Sequence, residues 1–264
     1  MTLSVESVEP LSPPHRMWLL GQFRLQCGTE PVELGRNGQR LLAFMGMRGR
    51  ASRTVLAGTL WPEVTEERAR GSLRTTLWKL PHADPPLIQC RGDSLVAAAA
   101  MRVDVHTLTE TALGVMRGGV PPLEGRPPID LLAGDDLLPG WDEDWVHWER
   151  ERLRQLRLHA LDALAETLTR QGRAALALEA AWAGVRLEPL RESAHRAVVS
   201  AHLAEGNLSE AVRHYRAFRR LLREEMGVEP SPRFTAMLSV HGQILPVHGP
   251  GPHLSRKAVS RSGG

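Results

Sequence analysis

Residues 65–80 read TEERARGSLRTTLWKL. Ala69, Leu73, Leu77 and Leu80 recur at helical spacing and predict a short amphipathic helix with one apolar face. Thr65 stands where an N-cap is expected. Arg68, rather than Glu or Gln, follows three residues on, so there is no capping box. The opposite face carries Arg70, Arg74, Thr75, Trp78 and Lys79. Such a helix suits the major groove of DNA, where arginine and lysine meet guanine acceptors and a threonine methyl meets thymine. An ordinary helix with a solvated basic face has the same pattern, so the surroundings must decide.

Working outward, residues 17–34 alternate and turn. Leu20, Phe23 and Leu25, then Gly28-Thr29-Glu30-Pro31, then Val32 and Leu34 predict two short strands around a turn. A helix is expected over about 37–47, with Leu41, Leu42, Phe44 and Met45 inward and Gly46 and Gly49 at its end. Ser52 is placed to cap a second helix, with Val55, Leu56 and Leu60 at core spacing and Trp61-Pro62 stopping it. The helix of residues 66–80 follows, and Pro81 ends it. A hairpin comes next, LIQC and LVAAA around Arg91-Gly92-Asp93-Ser94. A strand pair, three helices and a hairpin in that order make a winged helix-turn-helix: the second helix supports, the third enters the groove and the wing reaches the backbone.

Composition allows this. The chain has 264 residues, is 42% hydrophobic and 24% charged, and can bury one to two cores. Its net charge of +3 is unevenly placed: residues 17–103 hold 12 Arg and Lys against 7 Asp and Glu, and residues 104–245 hold 17 against 21. Nucleic-acid contact is therefore expected in the first part. Only Lys79 and Lys257 are lysine, a bias that fits a GC-rich genome. Cys27 and Cys90 fit a reducing cytosol and are assigned no chemistry. No apolar run reaches membrane-spanning length. Residues 1–16, with Ser4, Ser7, Pro10, Pro13 and Pro14, are expected to be a flexible leader without the features of a signal peptide.

The run GTLWPEVTEERARGSLRTTLWKL resembles the DNA-binding region of bacterial transcriptional regulators of the SARP/AfsR type, whose first domain is an OmpR-like winged helix. The resemblance covers most of residues 17–103. It implies that Arg74, Thr75 and Lys79 face base edges, and that Gly71 and Ser72, with Thr76 beside them, lie where the family approaches phosphate. Gly71 has no side chain to contribute, so one family contact is missing there. Trp78 replaces an arginine common in the wider group, and it either packs under the wing or meets the sugar-phosphate backbone. Arg70 completes the cationic stripe. Arg36, Gln39 and Arg40, at the start of the first helix, touch phosphate or form a solvated helix end. Arg91 is the only strong donor expected on the wing. Glu63, Glu66 and Glu67 make the Pro62–Glu67 loop acidic. The resemblance implies that this loop meets RNA polymerase, and the same carboxylates also favour a helix N-terminus.

From Asp104 a helix is expected, with Val105, Leu108, Ala112, Leu113 and Met116 inward. Then comes the Gly/Pro-rich stretch GGVPPLEGRPPIDLLAGDDLLPG, whose Leu123, Ile129, Leu131, Leu132, Leu137 and Leu138 are expected to pack onto the following helices. Trp141 to Arg170 reads as a long helix with Trp145, Trp148, Leu153, Leu156, Leu161, Leu164 and Leu168 inward. Core packing is the reading for Trp141, Trp145 and Trp148, with an aromatic ligand cage as the alternative. Gly172 and Gly206 lie 34 residues apart, as do Ala177 and Ala211, Ala160 and Ala194, Leu164 and Val198, and Leu187 and Leu221. That period is tetratricopeptide-like. It predicts helices over 144–170, 174–187, 191–204, 208–225 and 231–241. The runs EPLRESAH and LAEGNLSEAVRHYRAFRRLLREEMGVEPSP resemble the bacterial transcriptional activation domain of the same family. Arg213, Arg216, Arg219, Arg220 and Arg223 share one helix, as a partner or DNA-backbone surface or as a solvated face paired with Glu224, Glu225 and neighbouring acids. Residues 246–264 are rich in Pro, Gly and Ser and are expected to be a disordered tail.

The expected fold is mainly α: an N-terminal winged helix-turn-helix with a small β-sheet and wing (17–103), then an α-helical tetratricopeptide-like repeat domain (104–245). The sequence has no phosphate-binding loop, GxSxG, HExxH or CxxC motif, and its histidines are scattered. No enzymatic activity, metal or cofactor is expected. The expected function is sequence-specific binding of double-stranded DNA by a cytoplasmic regulator. The resemblance further implies an activator of a biosynthetic, secondary-metabolite gene cluster that acts as a homodimer on promoter repeats and recruits RNA polymerase, and no membrane partner is expected. A protein-interaction scaffold and a ligand-gated repressor are the alternatives.

Overall fold

The computed structural model describes residues 15–119 and 127–239. Two small sheets bracket the first three helices. The first has strand order β3-β2-β1-β7, from β1 (His15–Trp18), β2 (Arg24–Cys27), β3 (Glu30–Pro31) and β7 (Met101–Val103), with β1 parallel to β7 and antiparallel to β2. The second has order β4-β6-β5, from β4 (Arg50–Ser52), β5 (Ile88–Arg91) and β6 (Ser94–Ala97). The region around the turn at Gly28 thus holds three strands, not two. His15 and Arg16, expected in the leader, belong to β1. His15 is buried because its Nε2 donates to the Pro85 carbonyl oxygen at 2.6 Å, and Met17 enters the core beside it.

Helix α1 (Arg36–Arg48) buries Leu41, Leu42, Phe44 and Met45 as expected. Gly46 does not end it. A Cβ there would lie 2.0 Å from Met17 Cε, so glycine lets α1 approach β1 closely, and the left-handed Gly49 (φ 70°) closes the helix instead. Ser52 caps α2 (Arg53–Leu60) by accepting a hydrogen bond from the Val55 amide at 3.2 Å. Val55 itself is exposed; Leu56, Ala57 and Leu60 fill the core face of this helix. Helix α3 (Glu66–Trp78) follows and packs mainly on α2.

Helix α4 (Asp104–Met116) opens on a carboxylate that ties the chain back to its start. Asp104 accepts from the Leu19 amide at 2.9 Å, the Leu20 amide at 3.0 Å and its own neighbour Val105 at 2.8 Å, and burial pushes its pKa up. Leu113 and Met116 lie at the exposed edge of α4, while Val105, Leu108 and Ala112 are buried. Of the Gly/Pro-rich stretch, Leu123 lies outside the described residues. Leu132, Leu137 and Leu138 are buried, with Ile129–Leu132 forming the short helix α5.

The repeat region forms α6 (Asp144–Arg170), α7 (Ala174–Leu187), α8 (Glu192–Ala204), α9 (Leu208–Met226) and α10 (Pro232–Ser239), each packed on its neighbour in the stack. Gly172 (φ 70°) and Gly206 (φ 77°) take the left-handed conformation at equivalent turns, which explains their 34-residue spacing. Ala160, Ala177, Ala194 and Ala211 are all buried, where a single methyl lets two helices close up. One hydrophobic core runs from Met17 to Ala201 and includes Trp141 and Trp145; Phe44 meets Trp145 edge to face at 5.3 Å. Trp148, expected inward, is 77% exposed, because the buried stripe of α6 passes from Trp145 through Val146 to Leu153.

A second, smaller core joins Val199 to α9 and α10. His195 and His214 stack at its edge, with His195 Nδ1 3.0 Å from His214 Nε2 and His195 Nε2 donating to the Pro189 carbonyl at 2.8 Å. Burial, and then the neighbouring His195 and His202, push the His214 pKa down to about 4; burial also lowers that of His195. Well above pH 6.5 both rings are neutral in folded and unfolded chains alike. Below it the unfolded chain binds protons first, so stability falls until the pH reaches about 4. Urea denaturation should lose about 1–2 kcal/mol from this site between pH 7 and pH 4, allowing for solvent at the ring edges. His214→Phe should flatten that slope; an unchanged slope would remove the pair as its cause.

Candidate nucleic-acid interface

Helices α2 and α3 and the turn between them form the helix-turn-helix. Ala69, Leu73 and Thr76 bury the inner face of α3. Thr76 was expected near phosphate, but it is turned inward, and its hydroxyl donates to the Ser72 carbonyl at 2.8 Å. That bond satisfies a hydroxyl forced into the core by the helical period. The outer face shows two stripes. Arg70, Arg74 and Trp78 stand one turn apart along the first, and Arg68, Ser72, Thr75 and Lys79 lie along the second. Arg70 is held by Glu66 at 2.7 Å and by the Thr54 hydroxyl at 3.2 Å. Arg68, Arg74 and Lys79 have no acidic partner among the described residues. Trp78 does not pack under the wing: it is 79% exposed at the end of the helix.

A groove of about 720 Å³ separates this face from the start of α1, with Gly38, Arg68, Ser72, Thr75 and Lys79 on its walls. Arg36 stands at its lip but turns away. Its guanidinium lies 4.2 Å from the centre of the Trp141 ring and 3.1 Å from Glu143, which also holds Arg40 at 2.7 Å. Gln39 donates to the Leu34 carbonyl at 2.9 Å. Gln39 is thus engaged by the backbone, while the Arg36 side chain, although paired with Glu143, remains 50% exposed at the groove.

The wing carries more positive charge than its hairpin alone. Arg91 is exposed beside the Gly92 turn. Strand β4 pairs with β6 in register Arg50↔Val96 and Ser52↔Ser94, which brings Arg50 to the wing, and Arg53, the first residue of α2, joins it there by donating its amide to the Asp93 carbonyl at 3.0 Å. Arg50 donates to Ser94 Oγ and Arg53 to Cys90 Sγ, both at 3.3 Å. Sequence reasoning missed Arg50 because the three residues of β4 show no strand period, and Arg53 because its place by the wing depends on contacts with Cys90 and Asp93 far along the chain. It also passed over Arg68, which the helical period places beside Ser72 and Thr75. On the far side of the turn, Glu63, Glu66 and Glu67 are exposed with Val64 among them. Among the described residues no group of three or more His, Cys, Asp or Glu is placed to hold a metal ion. No described helix is long and apolar enough to cross a membrane.

An α3 held by its apolar face on α2, with an arginine-bearing wing beside it and a stack of helix pairs behind, is the architecture of a winged-helix transcriptional regulator. Residues 96–245 match the bacterial transcriptional activator domain, and the chain belongs to that family, as a regulator of the SARP type. The regulatory protein AfsR of Streptomyces coelicolor is 28% identical over 237 residues, covering 82% of this chain and 23% of the relative. Regulatory protein AfsR of Streptomyces griseus is 25% identical over 233 residues, covering 84% of this chain and 24% of the relative. The chain thus spans about a quarter of the length of these relatives. The solved structure of Mycobacterium tuberculosis EmbR in complex with a low affinity phosphopeptide shares the fold, with a TM-score of 0.69 at 19% identity over 88% of this chain and 66% of that one.

Proposed function

We propose that the protein binds specific promoter sequences in double-stranded DNA and activates transcription from them. Residues 17–103 are the DNA-binding unit and residues 104–245 the activation unit. The reading is carried by the exposed outer face of α3, where Arg74, Lys79 and Arg68 stand without acidic partners on a helix whose other face is fixed in the core. Arg74 and Thr75 read base edges. Arg70, Ser72 and Lys79 lie along the groove, and Trp78 meets the sugar-phosphate backbone through its exposed ring. Arg91, with Arg50 and Arg53, reaches the adjacent backbone from the wing. The acidic Pro62–Glu67 loop meets RNA polymerase. Two copies act together on repeated sites in the cytoplasm, and the AfsR likeness supports a biosynthetic, secondary-metabolite gene cluster as the target.

Fluorescence anisotropy on promoter fragments tests this. Binding should favour one fragment over scrambled DNA of equal length. The logarithm of the binding constant should fall against log salt with a slope near −0.9 per phosphate neutralised, or about −4 for roughly four contacts. Equal binding to scrambled DNA, or a flat salt response, would overturn the reading and leave a protein-interaction scaffold.

A further inference from the structure

We propose that the outer face of α9 docks the Pro62–Glu67 loop of a second copy of this chain. Helix α9 gives Ala211, Val212, Tyr215, Phe218 and Leu222 to its own core, with Val212, 9% exposed, at the edge of that core where it also borders the outer face. Its other face is an open groove of about 630 Å³, with Leu208, Val212 and Ala217 along the floor and Arg213, Arg216 and Arg220 along the rim. Arg213 is neutralised by the neighbouring acid Glu210, and Arg219 and Arg223 by Glu229, while Glu224 and Glu225 make no ion pair among the described residues. Arg216 and Arg220 stand one turn apart with no acidic partner among the described residues.

An apolar floor between two unneutralised guanidinium groups fits an acidic segment that carries an apolar residue at its centre. A phosphate backbone would leave the floor unused. The chain contains such a segment. In the loop between α2 and α3, Val64 is 42% exposed, and Glu66 is engaged by Arg70. Glu63 and Glu67 flank that valine, exposed and without a cationic partner among the described residues. Two free carboxylates around a valine face two free guanidinium groups around a leucine-valine floor. The chain's own final segment does not match: residues 240–264 hold Arg256, Lys257 and Arg261 and no Asp or Glu. The contact joins two different patches, so copies add head to tail instead of closing as a symmetric pair. The last copy in such a row keeps its loop free for another partner.

The pairing does not depend on DNA binding, so DNA-free full-length protein tests it separately. In sedimentation velocity the chain should self-associate with rising concentration at about 50 mM salt and dissociate at about 500 mM, where exposed charges are screened. The double variant Arg216→Glu with Arg220→Glu should be monomeric, and so should Glu63→Arg with Glu67→Arg. Mixed together, the two should associate again, because each loop then meets an α9 face of opposite charge. A wild-type chain that stays monomeric at low salt overturns the proposal. So does either double variant associating like wild type, or a mixture that stays monomeric. All four positions are exposed, and circular dichroism checks each fold; Arg216→Gln with Arg220→Gln replaces any variant that fails to fold, with association expected to fall about tenfold.

Discussion

Arg74→Ala should lower binding to the preferred DNA fragment by roughly 1–3 kcal/mol, or about 5- to 150-fold, and barely change binding to random DNA. Arg74 stands on the exposed face of α3, one turn beyond an Arg70 that Glu66 and Thr54 already hold, and no acid among the described residues pairs with it. Its removal therefore costs the fold nothing, and the thermal midpoint should not move. Lys79→Ala is the internal comparison. The sequence resemblance puts Lys79 at base edges, but it is the C-cap residue of α3 beside the open groove, and we propose it as a phosphate contact instead. Its loss should weaken specific and random DNA alike and reduce the salt slope by about one contact. Anisotropy titrations of both variants on both DNAs separate the roles. Equal loss from Arg74→Ala on the two DNAs would move Arg74 to the backbone.

The parts of this molecule that were legible in its sequence are those set by local period. The α3 face reads directly because Ala69 and Leu73 recur every turn, and the repeat helices read because Gly172 and Gly206 mark equivalent left-handed turns. What was not legible depends on partners far along the chain. Arg36 is an ordinary helix-start cation until Glu143, 107 residues later, meets it. β1 is four residues long and gains its meaning from β7, which pairs with it in parallel from Met101 onward. Thr76 and Trp78 show the limit within one helix. Hydropathy puts the threonine outside and the tryptophan inside, yet the helical period places Thr76 against the core at 6% exposure and leaves Trp78 in the open. The same holds for Trp145 and Trp148: equal in type and three residues apart, they lie on opposite sides of the boundary between core and solvent.

Phe218→Ala should destabilise the helical repeats by about 3–5 kcal/mol, the usual result of emptying a buried phenyl site. Phe218 is 1% exposed, stacks on His195 at 4.0 Å with an interplanar angle of 22°, and lies 5.8 Å from Phe234 of α10. It holds three helices together at once, so the site cannot collapse around a methyl without moving α10. The damage should also be local. Val198 and Ala201 of α8 belong to the core that continues to Met17, whereas Val199 belongs to the core with Phe218 and Phe234. Helix α8 is thus a wall between two clusters, and the second can loosen while the first stands. Hydrogen exchange should accelerate first in α9 and α10, with α1 to α3 protected as in the wild type. DNA affinity, if it resides in α3, should survive the substitution at temperatures where the first core is intact. Uniform exchange across both clusters would instead make the two cores one cooperative unit, joined through α8 more tightly than the separate contact sets imply.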